Sequence, residues 1–174
     1  MLKFLLIQLT TYFSIDYTNM IIFDTFLNSN GMYYNINALS RGVECIATFR
    51  PIEDLSLEAH YTFNLTDRKK PVRTGEMIRR PKHQGGFFIS YSFLKKGNVN
   101  LGFRYVGYRR DYYWYPHYSS MKPYYTADLA ASWWIIDQLQ AFFRIENLLN
   151  MKYEEARGYR MPGISFYGGL KAQI

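Results

Sequence analysis

Apolar and polar side chains alternate with a period of two along nearly the whole chain. Val43, Cys45, Ala47 and Phe49 oppose Glu44, Ile46, Thr48 and Arg50, and Leu55, Leu57, Ala59, Tyr61 and Phe63 oppose Ser56, Glu58, His60, Thr62 and Asn64. The pattern returns at Phe87 to Phe93, Val99 to Tyr105, Tyr125 to Trp133 and Leu139 to Ile145. It closes the chain, where Phe166, Gly168, Leu170, Ala172 and Ile174 oppose Ser165, Tyr167, Gly169, Lys171 and Gln173. Successive side chains of a strand point to opposite faces, so this period predicts strands and leaves little room for helices. Counting Leu5 to Phe13 as the first, about eight strands result, each near the 9 to 11 residues that a tilted membrane strand needs.

Alternation does not say which face points inward: a soluble barrel buries its apolar face, whereas a membrane barrel turns it to lipid. The connections bear on this. Arg50 to Leu55, Leu94 to Asn98 and Ile135 to Gln138 are short, whereas Asp67 to Lys82, Gly107 to Pro123 and Asn150 to Pro162 are long. Short and long links alternate, which places all the short ones at one end of the sheet. Outer-membrane barrels have this asymmetry, with short periplasmic turns and long extracellular loops. Tyrosines and Trp114 crowd the strand ends at the long loop from Gly107 to Pro123, and Trp133 and Trp134 mark the opposite boundary. Amphipathic rings at both ends of an apolar band suit a lipid interface.

Composition narrows the classes further. Aromatic residues make up 19% of the chain, with 17 Tyr and 13 Phe, more than a soluble core of this size requires. No apolar run approaches the roughly 18 residues of a spanning helix. The net charge of +7 gathers in the links, above all Asp67 to Lys82 and Tyr108 to Asp111, rather than along one face, which argues against nucleic acid as a partner. Cys45 is the single cysteine and reads as a small apolar strand residue. The opening stretch Met1 to Ser14 carries Lys3 before apolar residues, as a signal peptide does, but Gln8 and Thr10 interrupt it and no small-residue cleavage site follows. A strand fits it at least as well.

The stretch Phe143 to Ile174 resembles the C-terminal signature of TonB-dependent outer-membrane receptors. The matching positions are the pair Asn147 and Leu148, then Asn150, then Tyr153 and Glu154, then Pro162 and Gly163 opening the last strand, which carries Phe166 and ends on Ile174. Upstream, Asn35 and the run Gly42, Val43, Glu44 are similar to an earlier part of the same family, and the resemblance covers nearly the whole chain. It implies an all-β fold of antiparallel up-and-down transmembrane barrel strands, in the outer membrane of a Gram-negative bacterium. Such receptors have 22 strands and a plug. The 174 residues (1–174) are therefore expected to be the C-terminal part of the barrel domain, a fragment without the N-terminal plug and not transport-competent alone. The chain ends on Ile174 where the family usually has an aromatic residue.

The sequence looks most like cobalamin and siderophore receptors. The resemblance implies as partners outer-membrane lipid and lipopolysaccharide, the barrel-assembly machinery that reads the last strand, a TonB-type energy transducer and a small-molecule ligand. Candidates for ligand contact in the extracellular loops are Arg109, Arg110, Tyr112, Tyr113, Trp114 and His117. His60, His83 and His117 lie on separate segments with no metal-ligand spacing, and neither a phosphate loop nor a nucleophile elbow is present. No cofactor, no metal and no enzymatic activity is expected. Two other architectures fit the strand count: a stand-alone eight-stranded barrel, structural or adhesive, closed by pairing Leu5 to Phe13 with Phe166 to Ile174, and a soluble lipocalin-like binder with the apolar face inward.

Overall fold

The computed structural model describes residues 4–24, 31–69, 75–114 and 117–173. In chain order the strands are β1 (Leu5–Asp24), β2 (Met32–Ile52), β3 (Leu55–Arg68), β4 (His83–Phe93), β5 (Gly97–Val106), β6 (Arg109–Trp114), β7 (His117–Met121), β8 (Tyr124–Ile136), β9 (Leu139–Glu146), β10 (Glu154–Ala156), β11 (Tyr159–Arg160) and β12 (Ser165–Ala172). Eight of them form one antiparallel wall in the order β1-β2-β3-β4-β5-β8-β9-β12. The pairs β6-β7 and β10-β11 are separate hairpins inside two of the long links. Ile174, Lys70, Arg73 and Tyr115 lie outside the described residues, as do the side chains of Tyr112, Tyr113, Trp114 and His117.

Register explains the alternation. One line of cross-strand partners, Leu6, Phe49, Leu57, Ile89, Leu101, Leu129, Ile145 and Phe166, runs across all eight wall strands and is apolar at every position. One residue along, on the opposite face, the line reads Ser56, Ser90, Asn100, Ala130, Arg144 and Tyr167. Each face is therefore set by a single parity from β2 to β12. β1 departs from this, because Leu5, Ile7 and Leu9 pair with Arg50, Thr48 and Ile46 on the polar face, which leaves the edge strand apolar on both sides.

Among the described residues no second layer covers the apolar face. Phe166 and Leu170 are 62% and 66% exposed, and Ile21, Phe87, Tyr91 and Phe143 are exposed too. The buried apolar residues are few, Ile36, Ala38, Val106, Met121, Tyr124 and Ala127, and lie toward the long-loop end. A lipocalin-like binder would enclose its apolar face, so that expectation fails. The closed eight-stranded barrel fails as well, because among the described residues β1 and β12 are the outer edges and do not pair with each other.

Two strands are longer than the alternation predicts. β1 has 20 residues and β2 has 21, paired from Leu5 with Arg50 to Asp24 with Met32. β2 leaves β3 beyond the Ala38 and Arg68 pair, so its first residues form a two-stranded ribbon with β1. A register shift between Tyr17 and Met20 interrupts the period there, with Asn19 at φ 57 and its N–H donating to Asn37 Oδ1 at 3.1 Å. The short links are tight turns. Between β4 and β5 the turn runs over Leu94 to Lys96, with Leu94 and Lys95 both at positive φ, 52° and 53°, and the Lys96 N–H donating to the Phe93 carbonyl at 3.2 Å. Near that end Trp133 stacks on Phe93 at 5.5 Å, while Trp134 falls on the opposite face.

Gly42 sits where β1, β2 and β3 come closest: a Cβ there would lie 1.9 Å from the Phe63 carbonyl oxygen and 2.8 Å from the Phe13 ring. Gly42→Ala is expected to destabilise the folded chain by about 1–3 kcal/mol. Gly102→Ala, whose added carbon would meet Phe88 at 3.8 Å, should stay within about 0.5 kcal/mol. Denaturant unfolding of the chain in detergent micelles measures both.

Candidate functional site

The described parts of the long links gather at one end of the wall and fold over its polar face. The last of them, from β9 to β12, is organised by Asn147, which is 5% exposed and has φ 50. Its backbone N–H donates to Asp128 Oδ1 at 2.8 Å, tying it to β8. Its amide nitrogen donates to the carbonyls of Met151 at 2.9 Å and Pro162 at 3.1 Å, and its Oδ1 accepts the Met151 N–H at 2.9 Å. One side chain thus joins the start of the loop to its end. Leu148 N–H bonds to the Ala127 carbonyl, and Asn150, also left-handed at φ 48, accepts the Ile164 N–H on Oδ1 at 3.1 Å. Gly163 follows from that: a Cβ there would lie 2.7 Å from the Asn150 oxygen.

Past Asn150 the loop is fastened to the wall. Tyr153 stacks on Tyr124 of β8 with centroids 4.3 Å apart. The Tyr124 hydroxyl donates to Glu155 Oε1 at 2.6 Å, and Arg104 of β5 reaches the same oxygen at 3.1 Å. Burial, and next the Glu155 carboxylate, raise the Tyr153 pKa above the ordinary tyrosine value, so its hydroxyl keeps its proton to higher pH. In the β10-β11 hairpin, Gly158 turns the chain at φ 85 and donates its N–H to Glu154 Oε2 at 3.0 Å.

The β6-β7 hairpin supplies the other half of the contact. Arg109, 4% exposed, donates to the carbonyls of Glu154 and Glu155 and lies 5.1 Å over the Tyr124 ring. Its Nη1 has no hydrogen-bond partner among the described residues. Asp111 accepts the Arg157 N–H at 2.8 Å, and Arg157 Nη1 donates to Ser119 Oγ at 2.5 Å. Between the end of β7, the start of β8 and the last loop lies a cleft of about 1090 Å³. Its lining combines Met121, Met151, Met161, Tyr124 and Tyr153 with Lys122, Lys152, Arg157 and Arg160, against the single carboxylate of Glu154. A lining of cations together with methionine and tyrosine side chains favours an anionic ligand with an apolar body.

Of the loop residues named from sequence, Arg109 is turned inward as a tie to the last loop, whereas Arg110 is exposed and pairs with Glu76 at 3.5 Å. The backbones of Tyr112, Tyr113, Trp114 and His117 lie in β6 and β7. The signature residues Asn147, Leu148, Asn150, Tyr153, Glu154, Pro162 and Gly163 come together as the framework of the last loop, and Phe166 lies in the apolar row of the wall. Sequence reasoning missed the acidic residues that organise the mouth, Asp111, Glu155 and the structural role of Asp128. A carboxylate within a loop or strand segment was the available signal, and it does not name its partner.

Asn147→Ala would leave two carbonyls and one N–H of the loop without their partner, each worth about 1–3 kcal/mol when buried. The expected result is protease cleavage within residues 148–164 while the wall strands stay intact. Limited proteolysis with mass mapping checks this.

The TonB dependent receptor-like, beta-barrel family matches residues 3–148. Among solved structures, the pyoverdine outer membrane receptor FpvA from Pseudomonas aeruginosa PAO1 superposes with a TM-score of 0.77 at 21% identity, over 97% of this chain and 27% of that one. The siderophore receptor PirA from Acinetobacter baumannii gives 0.76 at 18% identity, over 96% of this chain and 29% of the receptor. The copper transporter OprC gives 0.76 at 13% identity, with the same coverages of 96% and 29%. The chain thus spans between a quarter and a third of the length of these proteins, and at such identities the likeness is one of fold. The family match extends over most of the wall strands, and with it the apolar row, the short turns and the long loops at one end have a common origin: this chain belongs to the TonB-dependent receptor-like β-barrel family.

Proposed function

We propose that the chain forms part of the barrel wall of an outer-membrane receptor for uptake of a siderophore-iron complex or cobalamin, and does not transport alone. The observation that carries this is the wall itself: a single layer with an unbroken apolar row on one face and the described parts of the long loops folded over the other at one end. TonB-dependent receptors are outer-membrane proteins of Gram-negative bacteria, and an apolar outer band is what a lipid bilayer requires of such a wall. Siderophore receptors among the structural neighbours favour iron complexes over cobalamin, one of them being the ferripyoverdine receptor of Pseudomonas aeruginosa bound to ferripyoverdine. The cleft's cations suit an anionic complex. Lipid and lipopolysaccharide belong to the other side of the wall, against its apolar face. Energy coupling through a TonB-type transducer and insertion by the barrel-assembly machinery belong to this reading, as does a non-enzymatic role.

Two outcomes test it. Cells lacking their own receptor and expressing only these 174 residues should take up neither radiolabelled iron-siderophore nor cobalamin, and measurable uptake overturns the second half of the proposal. Leu101→Arg, in the apolar row, should cost about 2–4 kcal/mol of folding free energy in lipid vesicles, whereas Asn100→Arg on the other face should cost less than about 1 kcal/mol. Equal costs at the two positions would contradict a lipid-facing row.

A further inference from the structure

The cleft between β7, β8 and the last loop carries charge that the protein does not neutralise. Lys122, Lys152 and Arg160 line it, all three are exposed, and none of them stands in an ion pair with another described residue. The one carboxylate in the lining, Glu154, already holds the N–H of Gly158 on Oε2 at 3.0 Å. Arg157 adds a further cation, which donates to Ser119 and is not needed for the argument. Lys122 comes from the link between β7 and β8, Lys152 from the entry to the last loop and Arg160 from β11. Like charges from separate segments around one opening repel each other and draw in counter-ions. The occupant that relieves this repulsion is a polyanion.

The uncharged part of the lining is aromatic and thioether rather than aliphatic. Tyr124 and Tyr153, stacked with centroids 4.3 Å apart, border the cleft together with three methionines. Tyrosine rings and methionine sulfur both favour aromatic partners. These side chains offer little to a bare metal ion: the Tyr124 hydroxyl donates to Glu155, and among the described residues no group of three His, Cys, Asp or Glu could hold one. The cleft therefore reads the outside of a complex whose iron is already chelated.

Net charge separates the iron chelators. Three catecholates around iron(III) leave a trianion with aryl rings on its outer surface, whereas three hydroxamates leave a neutral complex. Ferric citrate is anionic but has no ring, and cobalamin carries no net negative charge. We propose that this cleft binds a ferric tris-catecholate, with Lys122, Lys152 and Arg160 set against its charge and the tyrosine and methionine side chains against its rings. This rests on the receptor reading given above and narrows its ligand to one class. A cleft of about 1090 Å³ has room for a complex of that size.

The test is equilibrium dialysis of the full chain in detergent micelles against four labelled probes: iron(III) held by a synthetic tricatechol amide, ferric citrate, a neutral ferric trihydroxamate and cyanocobalamin. The tris-catecholate is expected to bind roughly tenfold more tightly than any of the others, and to weaken as salt is added. Lys122→Gln, Lys152→Gln and Arg160→Gln, all at exposed positions, should each weaken it by about threefold while leaving the circular dichroism of the wall unchanged. Trihydroxamate or cobalamin binding as tightly overturns the assignment and leaves the receptor reading standing. Ferric citrate binding as tightly overturns it too, because charge alone would then suffice, and so does a tris-catecholate that does not bind. Failure of the receptor reading shows elsewhere, in equal costs of Leu101→Arg and Asn100→Arg.

Discussion

The structure depends on cross-strand register. Every wall strand from β2 to β12 shows one parity to each face, and the apolar line from Phe49 to Phe166 exists only because six pairings keep step. A slip of one residue in β5 would exchange Val99, Leu101 and Phe103 for Asn98, Asn100 and Arg104 on the apolar face. In lipid such an exchange is prohibitive for the arginine alone. With lipid on one face and water on the other, as proposed, the surroundings enforce register more than any single contact, and a one-layer sheet with so small a buried core can keep a defined form. Glycines such as Gly42 and Gly97 let neighbouring rings and carbonyls approach where the row needs it.

At the mouth the governing physics changes. The loops bury little apolar surface, and their order comes from polar side chains that serve several segments at once. Asn147 closes the last loop on itself, Glu155 joins that loop to β5 and β8, and Asp111 joins it to two others. Exposed ion pairs such as Arg104 with Glu155 contribute little energy individually. Buried ties such as those of Asn147 and Asp111 matter more, because breaking one leaves a polar group without water or partner. The wall thus supplies rigidity, while the mouth supplies a cleft whose shape rests on a handful of hydrogen bonds.

The wall was legible in the sequence because a period of two survives in single residues: all eight predicted strands exist, with the short turns at one end. Partner choice within the wall followed from hairpin connectivity. What the alternation did not show was the ribbon of β1 and β2, since the shift near Asn19 breaks the period where β3 no longer contributes a patterned neighbour. The loop hairpins β6-β7 and β10-β11 were hidden for another reason: their strands are short and polar on both sides, and the turn at Gly158 is a weak signal alone. The terminal signature named residues that lie together in the last loop, but not the hydrogen bonds they make there. Arg109 reads as an exposed loop cation in sequence and is buried in the structure, because its carbonyl partners lie 45 and 46 residues downstream.

The central claim is that the apolar face of the wall meets lipid and the polar face meets water. A spin-label scan along β5 tests this most directly, with single cysteines at positions 98 through 103 in a Cys45→Ser background and the protein reconstituted in bilayers. Collision rates with oxygen, which concentrates in lipid, and with a water-soluble nickel chelate then report the surroundings of each position. The account predicts a strict alternation, with 99, 101 and 103 favouring oxygen and 98, 100 and 102 favouring the chelate. The reverse alternation would contradict it by putting lipid on the polar face, and uniform access to the chelate would contradict it by making this chain a soluble sheet.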